Sequence, residues 1–293
     1  MAECFPYGVF TYPDDPDSAR IAVRAGEQIL DLADVAARQM SPYADLLAAP
    51  TLDPLLAAGP TVWHAVHRDV RSSVTDGMFI DPGDVVMRLP FTVADVATFG
   101  PGGSHPHPAV RFGRSGAVTV SDTPVVRPRG PSTQLGVDAQ VGFVVGVPSE
   151  RGDPIPAEAF ADHVFGMVLV SDWCARDVPA TDDTHFQTSV SPWVVPLDVL
   201  ASARFDVELE VRVNDEVVSR SAYRESRWAP GELLAHLTST GASVRTGDLF
   251  SSGEPAVRML DDGDRVVVSA KAPAGDGTSI DLGEVRGQVL AAR

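Results

Sequence analysis

A β-rich α+β fold is the class this chain predicts, on three observations. Runs in which apolar and polar residues alternate recur at AVTVSDTPVV from Ala117, QLGVDAQVGFVV from Gln134 and FDVELEVRVNDEVVSR from Phe205. Between residues 36 and 74, by contrast, Leu55, Leu56, Trp63, Val66 and Val70 recur at the three and four spacing of amphipathic helices. The 44% apolar content over 293 residues can fill a full core, enough for one large domain or one with a small companion.

Taken in order, FPYGVFTY from Phe5 and DSARIAVRAGEQILDLADV from Asp17 predict two short strand pairs with Gly26 at a turn. Asp53-Pro54 and Gly59-Pro60 then cut the helical stretch into short helices. His64 and His67 sit at the edge of its apolar face and are assigned no chemistry. Residues 79 to 98 lead into a larger domain through a linker and a first strand. The loop FGPGGSHPHPAVRFGRSG carries His105 and His107; its glycines have neither the P-loop nor the dinucleotide spacing, so it is no nucleotide site. A hairpin follows with Val207, Leu209, Val211 and Val213 on one face and Asn214-Asp215 in the turn. PGELLAHLTSTGASV, from Pro230 to Val244, predicts a helix on which His236 is a packing or surface residue, and DGDRVVVSA and SIDLGEVRGQVL close the chain as strands.

The net charge of −17 argues against nucleic acid or anionic membrane as a partner and favours a small-molecule substrate. Cys4 and Cys174 cannot form a disulfide framework, and neither has a second Cys at metal-ligand spacing, which suggests a reducing compartment. With no signal-like N-terminus and no apolar run near about eighteen residues, a cytoplasmic protein is expected. Lys271 is the only lysine, so a catalytic lysine is nearly excluded.

Side chains two apart in a strand point the same way, so Asp138 and Gln140 share a face. The apolar run VFGMVLV delivers Asp172 at the mouth of a second buried strand, where three oxygen-bearing side chains could converge. The competing reading puts Asp138 and Gln140 on the wet face of an edge strand and makes Asp172 a helix or turn cap.

YGVF, GDPIP, FGMVL, SDWxARD, SVSPWVVP and RTGDL, in this order, resemble the fumarylacetoacetate hydrolase family, its fumarylacetoacetases in particular, from Phe5 to about Leu290. The resemblance implies a mixed β-roll or distorted barrel over residues 86 to 293, preceded by a small β domain with short helices over residues 1 to 85. It also implies a homodimer. In such hydrolases carboxylates hold a divalent cation that grips an enol or keto oxygen of a β-diketo acid, and a His activates water to cleave a carbon–carbon bond.

Carried over residue by residue, the family's base matches His105, the first Asp of its DW-x-ARD segment matches Asp172, and Arg176 is kept. Thr98 and Gln140 stand where acidic ligands are expected, leaving Asp138, Gln140 and Asp172 as the metal-site residues. Two carboxylates and an amide would hold magnesium or calcium weakly, so no tightly bound cofactor is expected. Arg111 replaces a pocket Tyr, Thr184 a lysine, Pro179 a Gln and Glu254 a Thr, and Arg111, Thr184 and Glu254 are the expected substrate contacts. The chain is shorter than fumarylacetoacetases, with segments missing between His105 and Gly113 and after Val178. Three functions fit: hydrolysis of a carbon–carbon bond in a β-keto or 1,3-dicarbonyl acid at an altered site; metal-free isomerisation, cyclisation or decarboxylation; or a non-catalytic ligand-binding or scaffold role.

Overall fold

A computed structural model of the chain describes residues 4–74, 78–100, 106–128, 132–177, 185–199, 206–255, 259–273 and 279–292. Its first part opens with strands β1 (Tyr7–Tyr12), β2 (Asp15–Ala25) and β3 (Gln28–Asp31). Helices α1 (Leu32–Gln39), α2 (Ala44–Leu47), α3 (Asp53–Ala57) and α4 (Pro60–Ser73) follow, then β4 (Phe79–Ile80) and β5 (Val86–Arg88). Asp31 caps α1 by accepting from the amides of Ala33 and Asp34. Gly59, at φ 83°, makes the left-handed entry to α4, where Pro60 sits without a donor to lose. Trp63 Nε1 donates to the Leu55 and Leu56 carbonyls at 2.8 and 3.1 Å, tying α4 to the end of α3. The five strands form one sheet in the order β4-β3-β2-β1-β5, so residues 79 to 88, read from sequence as linker, supply two of its strands.

The second part contains β6 (Val96–Phe99), β7 (Val110–Gly113), β8 (Val118–Val120), β9 (Val125–Val126) and β10 (Leu135–Val145). It continues with α5 (Phe160–His163), β11 (Val164–Ala175), β12 (His185–Val190), β13 (Val195–Pro196), β14 (Glu208–Val213) and β15 (Glu216–Ala222). It ends with α6 (Pro230–Thr238), β16 (Leu249–Pro255), β17 (Arg265–Pro273) and β18 (Ser279–Leu290). One sheet runs β7-β6-β16-β10-β11-β12-β8 with β13 on β11, and another runs β15-β14-β17-β18-β9. The predicted hairpin forms as β14–β15, with Asn214 and Asp215 at φ 50° and 69° in its turn. Helix α6 stops at Thr238, short of the expected Val244, because Gly241 turns the chain at φ 82°.

The fold is β-rich α+β as expected, and among the described residues its sheets are open, with no closed barrel. The sheet containing β10 and β11 is the middle layer. Val137, Val141, Phe143, Met167, Leu169 and Trp173 pack on the β14–β17–β18 sheet through one core. Val144, Val168, Val170 and Leu249 pack on Tyr7, Val9, Leu56 and Val66 through a second. Burial on both faces is why these strands read as nearly continuous apolar runs. His67 lies in this second layer, where burial pushes its imidazole toward the neutral form. No helix among the described residues is long and apolar enough to cross a membrane.

Candidate active site

The polar cluster grows out of the face of β11 that begins as core. Val168 and Val170 pack against the N-terminal layer, and the next residues on that face are Asp172 and Cys174. In the antiparallel register of β10 and β11, Gly136 lies opposite Cys174, Asp138 opposite Asp172 and Gln140 opposite Val170. The polar residues therefore share one face of central strands. The edge-strand reading of Asp138 and the capping reading of Asp172 both fall, since Asp172 is fully buried inside β11.

The register of β11 with β12 shifts between Trp173 and Cys174: Trp173 pairs with Gln187, but Cys174 pairs with His185. Phe186 is the extra residue. This bulge brings His185, rather than Phe186, opposite Cys174 and over the aspartates, the re-aiming of a side chain for which bulges beside active sites are used. His185 Nε2 is 3.3 Å from Asp138 Oδ2 and 3.9 Å from Asp172 Oδ2.

Two guanidinium groups answer the two carboxylates. Arg176 Nη2 donates to Asp138 Oδ1 at 2.8 Å, and Arg111 Nη2 donates to Asp172 Oδ2. Thr188 Oγ1 donates to Asp172 Oδ1 at 2.9 Å. Arg111 reaches in from β7, where it pairs with Thr98 of β6. Arg176 lies over Gly136, whose missing side chain is required: a Cβ there would come within 2.4 Å of the Arg176 Nε. Gln140 lines the same cleft, its Oε1 accepting from Ser251 Oγ at 2.6 Å.

Burial raises the Asp172 carboxyl above the ordinary aspartate range, against the opposing pull of Arg111, His185 and the Thr188 hydrogen bond. The Cys174 thiol is pushed up to about 12, by burial first and then by Asp138. A cleft of about 380 Å³ opens in front of this cluster, lined by Thr98, Arg111, Asp138, Gln140, Arg176 and His185 among others. An imidazole between two carboxylates, with cations at the rim, can move a proton and hold an anionic oxygen.

Of the residues singled out from the sequence, Asp138, Gln140, Asp172, Arg176 and Arg111 are thus brought together. His105 and Thr184 lie outside the described residues, and Glu254 is placed only by its backbone, opposite Ala139 of β10. His107 stacks on His236 at 6.3 Å between ring centroids and does not line the cleft. Sequence reasoning missed His185 and Cys174. The signal for Cys174 was its spacing of two from Asp172; His185 depends on a bulge that no local pattern reveals.

A buried acid, an imidazole and two arginines across adjoining strands of a three-sheet framework define a β-rich protein equipped for proton-transfer chemistry. Comparison with known proteins gives that class its family. The chain matches the family model "Fumarylacetoacetate (FAA) hydrolase C-terminal" over residues 94–290 and "Fumarylacetoacetase N-terminal" over residues 3–85, and it belongs to the fumarylacetoacetate hydrolase family. It is similar to human fumarylacetoacetase, at 27% identity over 98% of this chain and 95% of that one. That alignment spans 400 positions against 293 residues here, so the relative contains segments this chain lacks. Maleylpyruvate hydrolase from Sphingobium sp. SYK-6, solved with manganese(II) and pyruvate, shares the fold at a TM-score of 0.75 and 16% identity, covering 98% of this chain and 100% of that one. The 2-hydroxyhepta-2,4-diene-1,7-dioate isomerase from Mycobacterium marinum does so at 0.69 and 18%, covering 98% of both.

Proposed function

We propose that this enzyme acts on a small β-keto or 1,3-dicarbonyl acid, cleaving a carbon–carbon bond with water at an altered site. The observation that carries this reading is His185 standing between Asp138 and Asp172, with Arg111 and Arg176 at the mouth of the same cleft. The sequence relatives, fumarylacetoacetases by name, support the substrate class.

The residues do not fit the hard divalent ion that the family resemblance implies. Such an ion takes about six oxygens, several of them charged. Here Thr98 and Gln140 supply no carboxylate, the Gln140 oxygen is committed to Ser251, and each aspartate is neutralised by an arginine. We therefore route no step through magnesium or calcium. Arg111 and Arg176 take the part of an oxyanion clamp and face the carboxylate and enol oxygens of the substrate. His185 takes a proton from water as its oxygen adds to the carbonyl carbon. The carbon–carbon bond then breaks with its electron pair passing to the enolate, and the proton returns to carbon. His185 is the residue placed to deliver it, since it lines the cleft whereas Asp172 is fully buried behind it. His105, the base implied by the resemblance, is the alternative for the first step.

A second reading is favoured by the lost acids at Thr98 and Gln140: the same groups move protons without water and isomerise, cyclise or decarboxylate the substrate. Incubation with a panel of 1,3-dicarbonyl acids in isotopically labelled water separates the two. Heavy oxygen in a product carboxylate marks hydrolysis, and an unlabelled product marks the second reading. A panel recovered wholly unchanged would leave a non-catalytic, ligand-binding role. The division at residues 85 and 86, a cytoplasmic location and a two-fold homodimer complete the proposal; the free Cys4 and Cys174 suit a reducing compartment, and closed two-fold assemblies are the commonest. A monomer mass by light scattering at micromolar concentration would remove the dimer.

A further inference from the structure

Among the described residues, Asp138, Cys174 and His185 place a carboxylate oxygen, a thiol sulfur and an imidazole nitrogen within 4.8 Å of one another. The arrangement is built by the sheet. Cys174 and His185 are cross-strand partners on β11 and β12, and Asp138 lies two residues from Gly136, the partner of Cys174 on β10. All three side chains rise from central strands, which set ligands more firmly than loops do.

The spacing suits one class of ion. Four ligands at about 2.0 Å around a tetrahedral centre are separated by about 3.3 Å, and a sulfur at about 2.3 Å stands about 3.5 Å from its neighbours. Asp138 Oδ2 and His185 Nε2 are 3.3 Å apart. With all three donors inside 4.8 Å, seating the sulfur takes a closure of about 1 Å, within reach of a side-chain rotation. Arg176 holds Oδ1 of Asp138 at 2.8 Å, leaving Oδ2 to face inward, which is the orienting support a ligating carboxylate ordinarily has. One oxygen, one nitrogen and one sulfur donor suit borderline transition ions, and not magnesium or calcium, which want oxygen alone.

We propose that Asp138, Cys174 and His185 form a binding site for a zinc-class divalent ion, with a fourth position open for water or a small anion. This goes beyond the reaction reading and does not rest on it: an ion on His185 Nε2 occupies the nitrogen that the reaction reading uses as base, so the loaded and catalytic states exclude one another, and ion uptake is read without turnover.

The test is titration of the chelator-treated full chain with cobalt(II). A near-ultraviolet thiolate-to-cobalt absorption should rise to one equivalent, persist in Cys4→Ser and vanish in Cys174→Ser. His185→Ala should weaken uptake tenfold or more. Zinc should displace cobalt, and magnesium or calcium in excess should not. Absence of the absorption, or its survival in Cys174→Ser, would overturn the proposal. Should Cys174→Ser not fold, X-ray absorption of zinc-loaded Cys4→Ser protein decides: one sulfur in the coordination shell upholds the site, and nitrogen and oxygen alone overturn it.

Discussion

Asp138 and Asp172 are direct cross-strand partners, two acids facing each other in the middle layer of the fold. Like charges so placed are destabilising unless they are answered. Arg176 answers the first and Arg111 the second, so the pair is kept by cations that enter from different strand ends. The cleft inherits its electrostatics from this arrangement, and it can be tested one residue at a time.

Arg111→Met should cost roughly 2–3 kcal/mol of stability near pH 7 in chelator-treated protein, because it leaves a buried carboxylate without its cation. The pH dependence has a definite sign. The Asp172 carboxyl is raised in the folded protein, chiefly by burial, so its contribution is fully present below its unfolded value of about 3.9 and is lost as pH rises through the folded value. Removing Arg111 raises it further. The cost should therefore shrink toward zero at about pH 4, and Asp172→Asn should abolish the difference. Urea unfolding at the two pH values measures this; an equal cost at both would refute the pairing.

Gly136→Ala should destabilise by roughly 1–3 kcal/mol, the usual cost of forcing extra volume into a packed position. The clash is with the Arg176 guanidinium, at 2.4 Å from the added carbon. In an Arg176→Ala background the same substitution should cost less than half as much. Additive costs would show that Arg176 does not occupy that space in solution.

Magnesium and calcium should bind poorly. Calorimetric titration is expected to give no tight site, and a dissociation constant of about 1 μM, or about −8 kcal/mol, would contradict the reading of Thr98 and Gln140 as lost ligands.

Much of this site was legible before the fold was known, and the part that was not has a physical cause. Period-two alternation alone put Asp138 and Gln140 on one face, and the SDWCARD segment flagged Asp172 and Arg176. Alternation does not tell an edge strand from a central one, nor whether an amide oxygen is free; Gln140 shares the right face and yet spends its oxygen on Ser251. His185 was invisible because its position depends on the bulge at Phe186, which reverses the facing of one residue without leaving a composition signal.

Fumarylacetoacetate itself should be a poor substrate, since Thr184, Pro179 and Glu254 replace the residues that the family resemblance expects around it. Turnover in the ordinary range of about 1 to 1000 per second, followed by loss of its absorbance, would contradict this.

The most direct test is the turnover of His185→Ala beside that of His105→Ala and His107→Ala, on whichever 1,3-dicarbonyl acid the wild type consumes, with folding checked by circular dichroism. His185→Ala should lower kcat by roughly a hundredfold or more, the usual contribution of a positioned acid or base, while His107→Ala costs little. A His185→Ala enzyme that keeps wild-type turnover while His105→Ala loses it would contradict the account and return the chemistry to the loop.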